Sequence, residues 1–276
     1  MYKYSTSSNQ SSFRSHYPIN NDQIAAYAPS ILASEAHHSR GERYAFIPTI
    51  DVIDGLRANG FEPFEIRQTR VRNLDKREHT KHMVRLRHPD AIGNNAEVPE
   101  IILLNSHDGT SSYQLLAGFF RMVCSNGLIA GNVQNDVRIR HSGNIVDDVI
   151  EGSFTVLDNI KEIGSRIETY KSIQMTNEEQ LLLANAAAQA RWGDDNQLNT
   201  TREINLPRRY EDYSSDLWTT FNRIQENMIK GGLHGRSKSG RRTRTREVAG
   251  VTENVKLNRA LWTLADEFAK LKTNAA

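Results

Sequence analysis

The chain has 276 residues, 38% of them hydrophobic, which is enough for a packed core in one large domain or two small ones. No window approaches the roughly 18 to 20 uninterrupted apolar residues of a membrane-crossing helix, and no apolar signal-peptide core is present, so a cytoplasmic protein with no membrane partner is expected. The single Cys124 excludes an intramolecular disulfide and a multi-cysteine metal knuckle; lying in an apolar run, it is expected to pack as a small hydrophobe.

The net charge of +2 hides a strong asymmetry. Residues 65–88 carry eight Lys/Arg against three Asp/Glu, and residues 230–246 carry seven against none, leaving 20 basic and 30 acidic residues elsewhere. Two basic segments on an acidic body favour a polyanionic partner.

Residues 1–20 are rich in Ser, Asn, Tyr and Gln without apolar periodicity and predict a disordered tail. A short helix follows from Asp22 to Leu32, interrupted by Pro29. Tyr44 to Pro48 predicts a strand, with Thr49 as the N-cap of a helix that carries Val52, Ile53 and Leu56 on one face and ends at Gly60. Phe61 to Arg72 is extended in character. Lys81 to Arg87 alternates cleanly, His82, Val84 and Leu86 on one face and Met83, Arg85 and Arg87 on the other, and the second face suits water or phosphate. Ala91 to Asn95 supplies a turn, the apolar run Ile101 to Leu104 a buried central strand, and Asp108-Gly109 a hairpin turn. Residues 112–124 fit either period, and the adjacent turn favours a strand with Gly118 as a bulge.

The C-terminal half changes to helical spacing. Val146 to Ile173 predicts a long amphipathic helix broken near Gly152, and Thr176-Asn177-Glu178-Glu179 is a capping box opening a second helix to about Arg191. A third spans Ser214 to Lys230 and is stopped by Gly231-Gly232; the last spans about Val255 to Leu271. Residues 233–247 have almost no apolar side chains and predict a mobile basic loop. The fold class is therefore α+β: an N-terminal antiparallel sheet, strand-helix-strand then a meander hairpin, over residues 21–145, packed with C-terminal helices over 146–276.

Two basic surfaces are the candidate polyanion sites. One is a strip of Arg67, Arg70, Arg72, Lys76, Arg77, Lys81, Arg85 and Arg87; the other is an arm of Arg236, Lys238, Arg241, Arg242, Arg244 and Arg246. The arm is not a nucleotide P-loop, since it follows a helix and no Gly directly precedes Lys238. His79, His82, His107 and Asp108 form the one constellation suited to a metal or to acid/base work, although a tight turn also explains Asn105-Ser106-His107-Asp108-Gly109. No catalytic residue and no cofactor is indicated.

The strings GERYAFIPTI (41–50), REHTKHMVRLR (77–87), VPEIILLNSHDGTSSYQLL (98–116), CSNGL (124–128), LWTTFNRIQENMIKGGL (217–233) and NRALW (258–262) resemble the YfjQ/YafZ-type phage- and plasmid-like proteins over about residues 24–270. The resemblance implies a mobile-element setting in a bacterial host and carries over no catalytic residues. The element order is also similar to the core of phage single-strand annealing proteins, an analogy of fold alone. Together these give three expectations. The first is a non-enzymatic, sequence-independent binder of single-stranded DNA, annealing strands as a homo-oligomer. The second is an antirestriction or defence-modulating protein whose arm docks on an acidic partner, and the third a metal-dependent nuclease around His79, His82, His107 and Asp108.

Overall fold

The structure is a computed structural model that describes residues 11–41, 44, 46–92, 96–122, 126–131, 136–139, 145–193, 201–237 and 239–274. Residues 1–10 of the expected tail, most of the Ala91 to Asn95 turn, Cys124 and Lys238 lie outside the described residues. The chain is α+β, and it divides into two compact units, Met1–Ala117 with Asp136–Leu157 and Gly118–Asn135 with Asp158–Ala276. No helix among the described residues is long and apolar enough to cross a membrane.

The first unit is built on an antiparallel sheet. Its strands are β1 (Ser12–Arg14), β2 (Glu62–Gln68), β3 (His82–Arg87), β4 (Glu97–Asn105) and the start of β5 (Tyr113–Arg121), in that spatial order. Strand β7 (Val137–Ile139) pairs with the start of β5. The expected tail is therefore partly a strand. Ser15 N donates to Phe64 O at 2.9 Å, Phe13 stacks on Tyr27 at 4.6 Å, and Ile19 is buried, contacts that Ser/Asn-rich composition conceals. Pro63 is tolerated inside β2 because the register shifts there by a β-bulge.

Helix α1 (Asn21–Tyr27) starts at a capping box of Asn20 and Gln23 and yields to a 3-10 turn at Pro29–Leu32, the interruption expected of Pro29. The described residues of Tyr44 to Pro48 form no strand. Helix α2 (Thr49–Ala58) buries Val52, Ile53 and Leu56 as the spacing predicts, but Pro48 takes the cap position and the Thr49 hydroxyl turns into the core. Gly60 ends this helix at φ +83°, and a Cβ there would lie 2.6 Å from the His88 ring. Between β4 and β5 runs a seven-residue loop, Ser106 to Ser112, in place of a two-residue turn. Asp108 Oδ1 accepts from the Thr110 N–H at 3.1 Å, and Gly109 sits at φ +74°.

The arginines of β2 and β3 lie on a dry face. Glu100 is fully buried and receives Arg85 Nη1 at 2.5 Å and Arg87 Nε at 2.8 Å. Glu65, also buried, stands opposite Arg14 on β1 and Arg85 on β3; it pairs with Arg14 at 2.6 Å and accepts from Arg67 Nε at 2.7 Å. The face alternates as expected, yet carboxylates from neighbouring strands rather than water or phosphate meet its cations.

Helix α3 (Ile145–Ser172) runs without a break at Gly152. That glycine is a close-approach position, since a Cβ would fall 2.6 Å from Val137 Cγ1 and 3.3 Å from Leu115 Cδ1. The chain enters the second unit within β5 and again within α3. There β5 pairs with β6 (Asn126–Ile129), and helices α4 (Asn177–Trp192), α5 (Leu217–Lys230) and α6 (Val251–Asn274) complete the unit. Asn258 Oδ1 accepts from the Ile129 N–H at 3.3 Å and Gln225 Nε2 donates to Gly127 O at 3.3 Å, so β6 is tied to helices and not left with the first unit as the 145/146 boundary implied. The Thr176 capping box forms as read, and Lys272 closes on its Glu179 at 2.8 Å.

Removing one partner of a buried ion pair leaves an uncompensated charge and costs about 3–5 kcal/mol. Glu100→Ala is expected to destabilise by that amount in denaturant unfolding, whereas the exposed Arg70→Ala stays within about 0.5 kcal/mol. A loss under about 1 kcal/mol for Glu100→Ala would contradict the dry ladder.

Candidate functional site

The arm is an ordered β-ribbon. Strands β8 (His234–Arg236) and β9 (Arg242–Arg244) pair antiparallel with His234 opposite Arg244 and Arg236 opposite Arg242. Period-two alternation puts Arg236, Arg242 and Arg244 on one face, with Gly235 and Thr243 on the other. All three arginines are exposed, as are Arg241 at the turn and Arg246 at the base. Among the described residues no carboxylate forms an ion pair with any of these five.

The ribbon is rooted in the end of α5. Gly231 and Gly232 take φ of +65° and +80°, reversing the chain as L-residues rarely do. A Cβ on Gly231 would lie 2.7 Å from the Arg246 carbonyl oxygen, so the two ends of the ribbon touch there. Gly232 N donates to Thr245 O at 2.9 Å, Thr245 N to Leu233 O at 2.9 Å, and Val248 N to Ile229 O at 2.8 Å. The guanidinium of Arg191 on α4 bridges the carbonyls of Met228 and Arg246. His234 is held by Glu203, which accepts its backbone N–H at 2.8 Å. The described residues of a segment read as a loop thus pair as a short hairpin, whose backbone partners lie across the ribbon and at its base.

The strip does not come together. Arg67, Arg85 and Arg87 are committed to Glu65 and Glu100, while Arg70, Arg72 and Lys76 are exposed on the connection between β2 and β3, and Arg77 and Lys81 are half-buried. The missing signal was Glu65 and Glu100 themselves. They sit at positions that alternate onto the face of Arg85, and they count as ligands for its arginines rather than as diffuse acidic charge.

The histidine constellation separates into parts. His82 and His107 are fully buried around the Thr49 hydroxyl, which lies 2.9 Å from His82 Nε2 and 3.3 Å from His107 Nε2 and accepts from Asn105 Nδ2 at 3.0 Å. On its other side His82 Nδ1 is 3.1 Å from Thr80 O and 3.1 Å from Ser30 Oγ, and Ser30 donates onward to Gln68 Oε1 at 2.9 Å. A carbonyl only accepts, so Nδ1 carries the ring proton and Nε2 accepts from Thr49. Burial depresses His82 to a pKa of about 4 against smaller upward pulls from the Thr80 carbonyl and Asp108. A base so weak and so buried takes no proton from a substrate near neutral pH; it straps α2 to β3 and the 3-10 turn. The His79 ring packs instead against His37 in a T-shaped contact, with ring centroids 5.3 Å apart. Asp108 is spent on the loop through Thr110.

Residues 36–262 match the family described as "Domain of unknown function (DUF932)". Two relatives from Escherichia coli strain K12, UPF0380 protein YfjQ and UPF0380 protein YafZ, are each 49% identical over 249 residues, covering 90% of this chain and 91% of the relative. No solved structure matches the chain.

Acid sensitivity follows from the buried groups. His82 stays neutral in the fold but protonates near its ordinary 6.5 when unfolded, so its contribution is complete above about pH 6.5 and is lost as pH falls toward 4. Burial alone would raise Glu65, but Arg14, Arg67 and Arg85 outweigh it and hold the carboxyl at about 2; that contribution is present above about pH 4.5 and is lost below it. Urea unfolding is expected to lose roughly 3 kcal/mol from His82 between pH 6.5 and 4. His82→Gln should remove about one proton from the uptake on unfolding in that window; an unchanged pH dependence would contradict the assignment.

Proposed function

Because this chain belongs to the DUF932 family, whose description assigns no chemistry, we propose its function from its own surface: it binds nucleic acid through the phosphate backbone, using the β8–β9 ribbon. The observation that carries this reading is the placement of Arg236, Arg242 and Arg244 on one exposed face with no carboxylate of the described residues paired to them. Arginine offers a planar fork of donors that matches a phosphate, and fixing the backbone beneath it lowers the entropy lost on binding.

Single-stranded DNA is the form placed first. Arg242 and Arg244 are two residues apart on a strand, about 7 Å at the usual rise, comparable to the repeat between phosphates of an extended strand. The ribbon face carries no aromatic residue besides His234, so backbone tracking rather than base stacking is the mode it suits, and no base readout is expected. Arg70, Arg72 and Lys76 form a second, separate exposed contact surface in the first unit. Annealing by a homo-oligomer in recombination or replication of a mobile element is the wider role this binding fits.

Fluorescence anisotropy with labelled single strands across a salt series tests the reading. Affinity should fall with salt, and replacing Arg241, Arg242 and Arg244 together by Gln should weaken binding and reduce the slope of log K against log salt by roughly 2, about 0.7 per lost phosphate contact. No binding to single- or double-stranded DNA or RNA at low salt would sink the proposal. Unchanged binding by the triple variant would move the site off the ribbon, and recovery of one nuclease-resistant stoichiometric protein partner would favour the acidic-partner reading instead.

A further inference from the structure

A second group of polar side chains in the first unit serves neither the buried Thr49 knot nor the arginine ribbon. His37, His38 and Asp75 each present one ligand atom, and these atoms all lie within 4.8 Å of one another. His37 Nε2 is 3.3 Å and His38 Nδ1 is 3.9 Å from the same oxygen, Asp75 Oδ2. Neither is a good hydrogen bond of a charged pair, which closes to about 2.7–2.9 Å. They suit a shared ion better: nitrogen and oxygen ligands about 2.0–2.2 Å from tetrahedral zinc stand about 3.4 Å apart. The His37–Asp75 edge already has about that length, and the exposed His38 ring has to close on Asp75 from 3.9 Å.

The residues come from two stretches that the backbone holds together. His37 N donates to His107 O at 3.0 Å, and His107 N donates to His79 O at 2.8 Å, so the turn from Leu74 to His79 is brought against the residues around His37. Asp75 is fixed on that turn by its own N–H, which Asn73 Oδ1 accepts at 3.1 Å. The buried His37 ring is oriented from behind by Ser39, whose N–H donates to Nδ1 at 3.2 Å and whose Oγ lies 2.8 Å from it; with Nε2 on a metal, Nδ1 takes the ring proton and donates to that hydroxyl, the outer partner of a metal-bound imidazole. Beside it, the shielded Nδ1 of His79 finds no hydrogen-bond partner among the described residues.

We infer that His37, His38 and Asp75 bind one divalent transition-metal ion, zinc in the first instance, with the remaining position open to water. Two imidazoles and one carboxylate are a borderline-soft set that favours zinc over magnesium or calcium, which take oxygen ligands. His38 and Asp75 face solvent, so the ion keeps an exchangeable ligand. The site is independent of nucleic-acid binding by the ribbon.

Zinc titration of the metal-free full-length chain, by calorimetry and by competition with a chromophoric chelator, tests this. One equivalent should bind, and His38→Ala and Asp75→Asn should each weaken binding by more than about tenfold, a cost at least as large as that of an outer-shell change. Both residues are exposed, so the variants should keep the wild-type circular dichroism. His88→Ala, at a histidine 3.7 Å from Asp90 with no third ligand among the described residues, should bind as wild type does. Failure of the wild type to take up zinc, equal affinity in the His38 and Asp75 variants, or displacement of zinc by millimolar magnesium would each overturn the inference.

Discussion

The sheet of the first unit depends on two carboxylates that never meet water. Glu65 and Glu100 stand on one face of β2 and β4 and hold arginines from β1, β2 and β3. Burying a guanidinium is expensive unless it is paired and hydrogen-bonded, and here each carboxylate serves two or three of them. Such a ladder fixes register, since a one-residue slip of β3 would turn Arg85 and Arg87 to the opposite face, leaving Glu100 without its two cations and Glu65 without one of its three. The same pairing removes Arg67, Arg85 and Arg87 from the protein's outer surface. A cation's sequence position therefore says little about its availability to a partner until its carboxylate is located.

The second unit meets the same constraint with a helix. Every residue of α5 from Leu217 to Ile229 is buried, though the sequence there is not apolar throughout. A helix buried all round is normally hydrophobic all round. Here Arg223 reaches Gln180, Asn205 and the Asp212 carbonyl, and Asn227 donates to the carbonyls of Ile204 and Leu206, so the polar side of α5 is capped by the 201–212 segment instead of by water. Glu226 takes Arg209 and Lys230. The ribbon grows directly from the end of this helix, and its base inherits the rigidity of a core element. The backbone beneath the ribbon's arginines is held by backbone partners and by Arg191, as that of a free tail of the same composition is not.

Most of the fold was legible because period and punctuation are local. The alternation of His82 to Arg87, the apolar run at Ile101, the capping box at Thr176 and the stop at Gly231-Gly232 all name elements that formed. What escaped was non-local. Ser12 to Arg14 becomes a strand only because β2 offers it an edge and Glu65 a charge; Thr49 leaves the cap because His82 lies within reach; Gly152 stays helical because Val137 needs the space. The arm was identified as basic and exposed, but its pairing as β8 and β9 has no hydrophobic signal at all. The His37-His38 pair was overlooked for a related reason: its third member, Asp75, is 37 residues away, and only backbone bonds through His107 bring the segments together.

The contrast between the two basic segments bears on what each is for. In residues 65–88 strand pairing supplies glutamates at the matching alternation for Arg67, Arg85 and Arg87, so their charge is consumed inside the fold, while Arg70, Arg72 and Lys76 stay exposed on the connection between β2 and β3. In β8 and β9 the opposing positions hold arginine against arginine, Arg236 across from Arg242, a cross-strand pairing that destabilises a hairpin. Folding alone gives no reason to place like charges there, and glutamate at either position would have strengthened the ribbon. Arg236 Nη1 donates to Gly240 O at 3.2 Å, but no carboxylate of the described residues offsets the like-charge pair. This like-charged pair, on a base tied to α5, is the feature of the fold that supports the proposed phosphate contact.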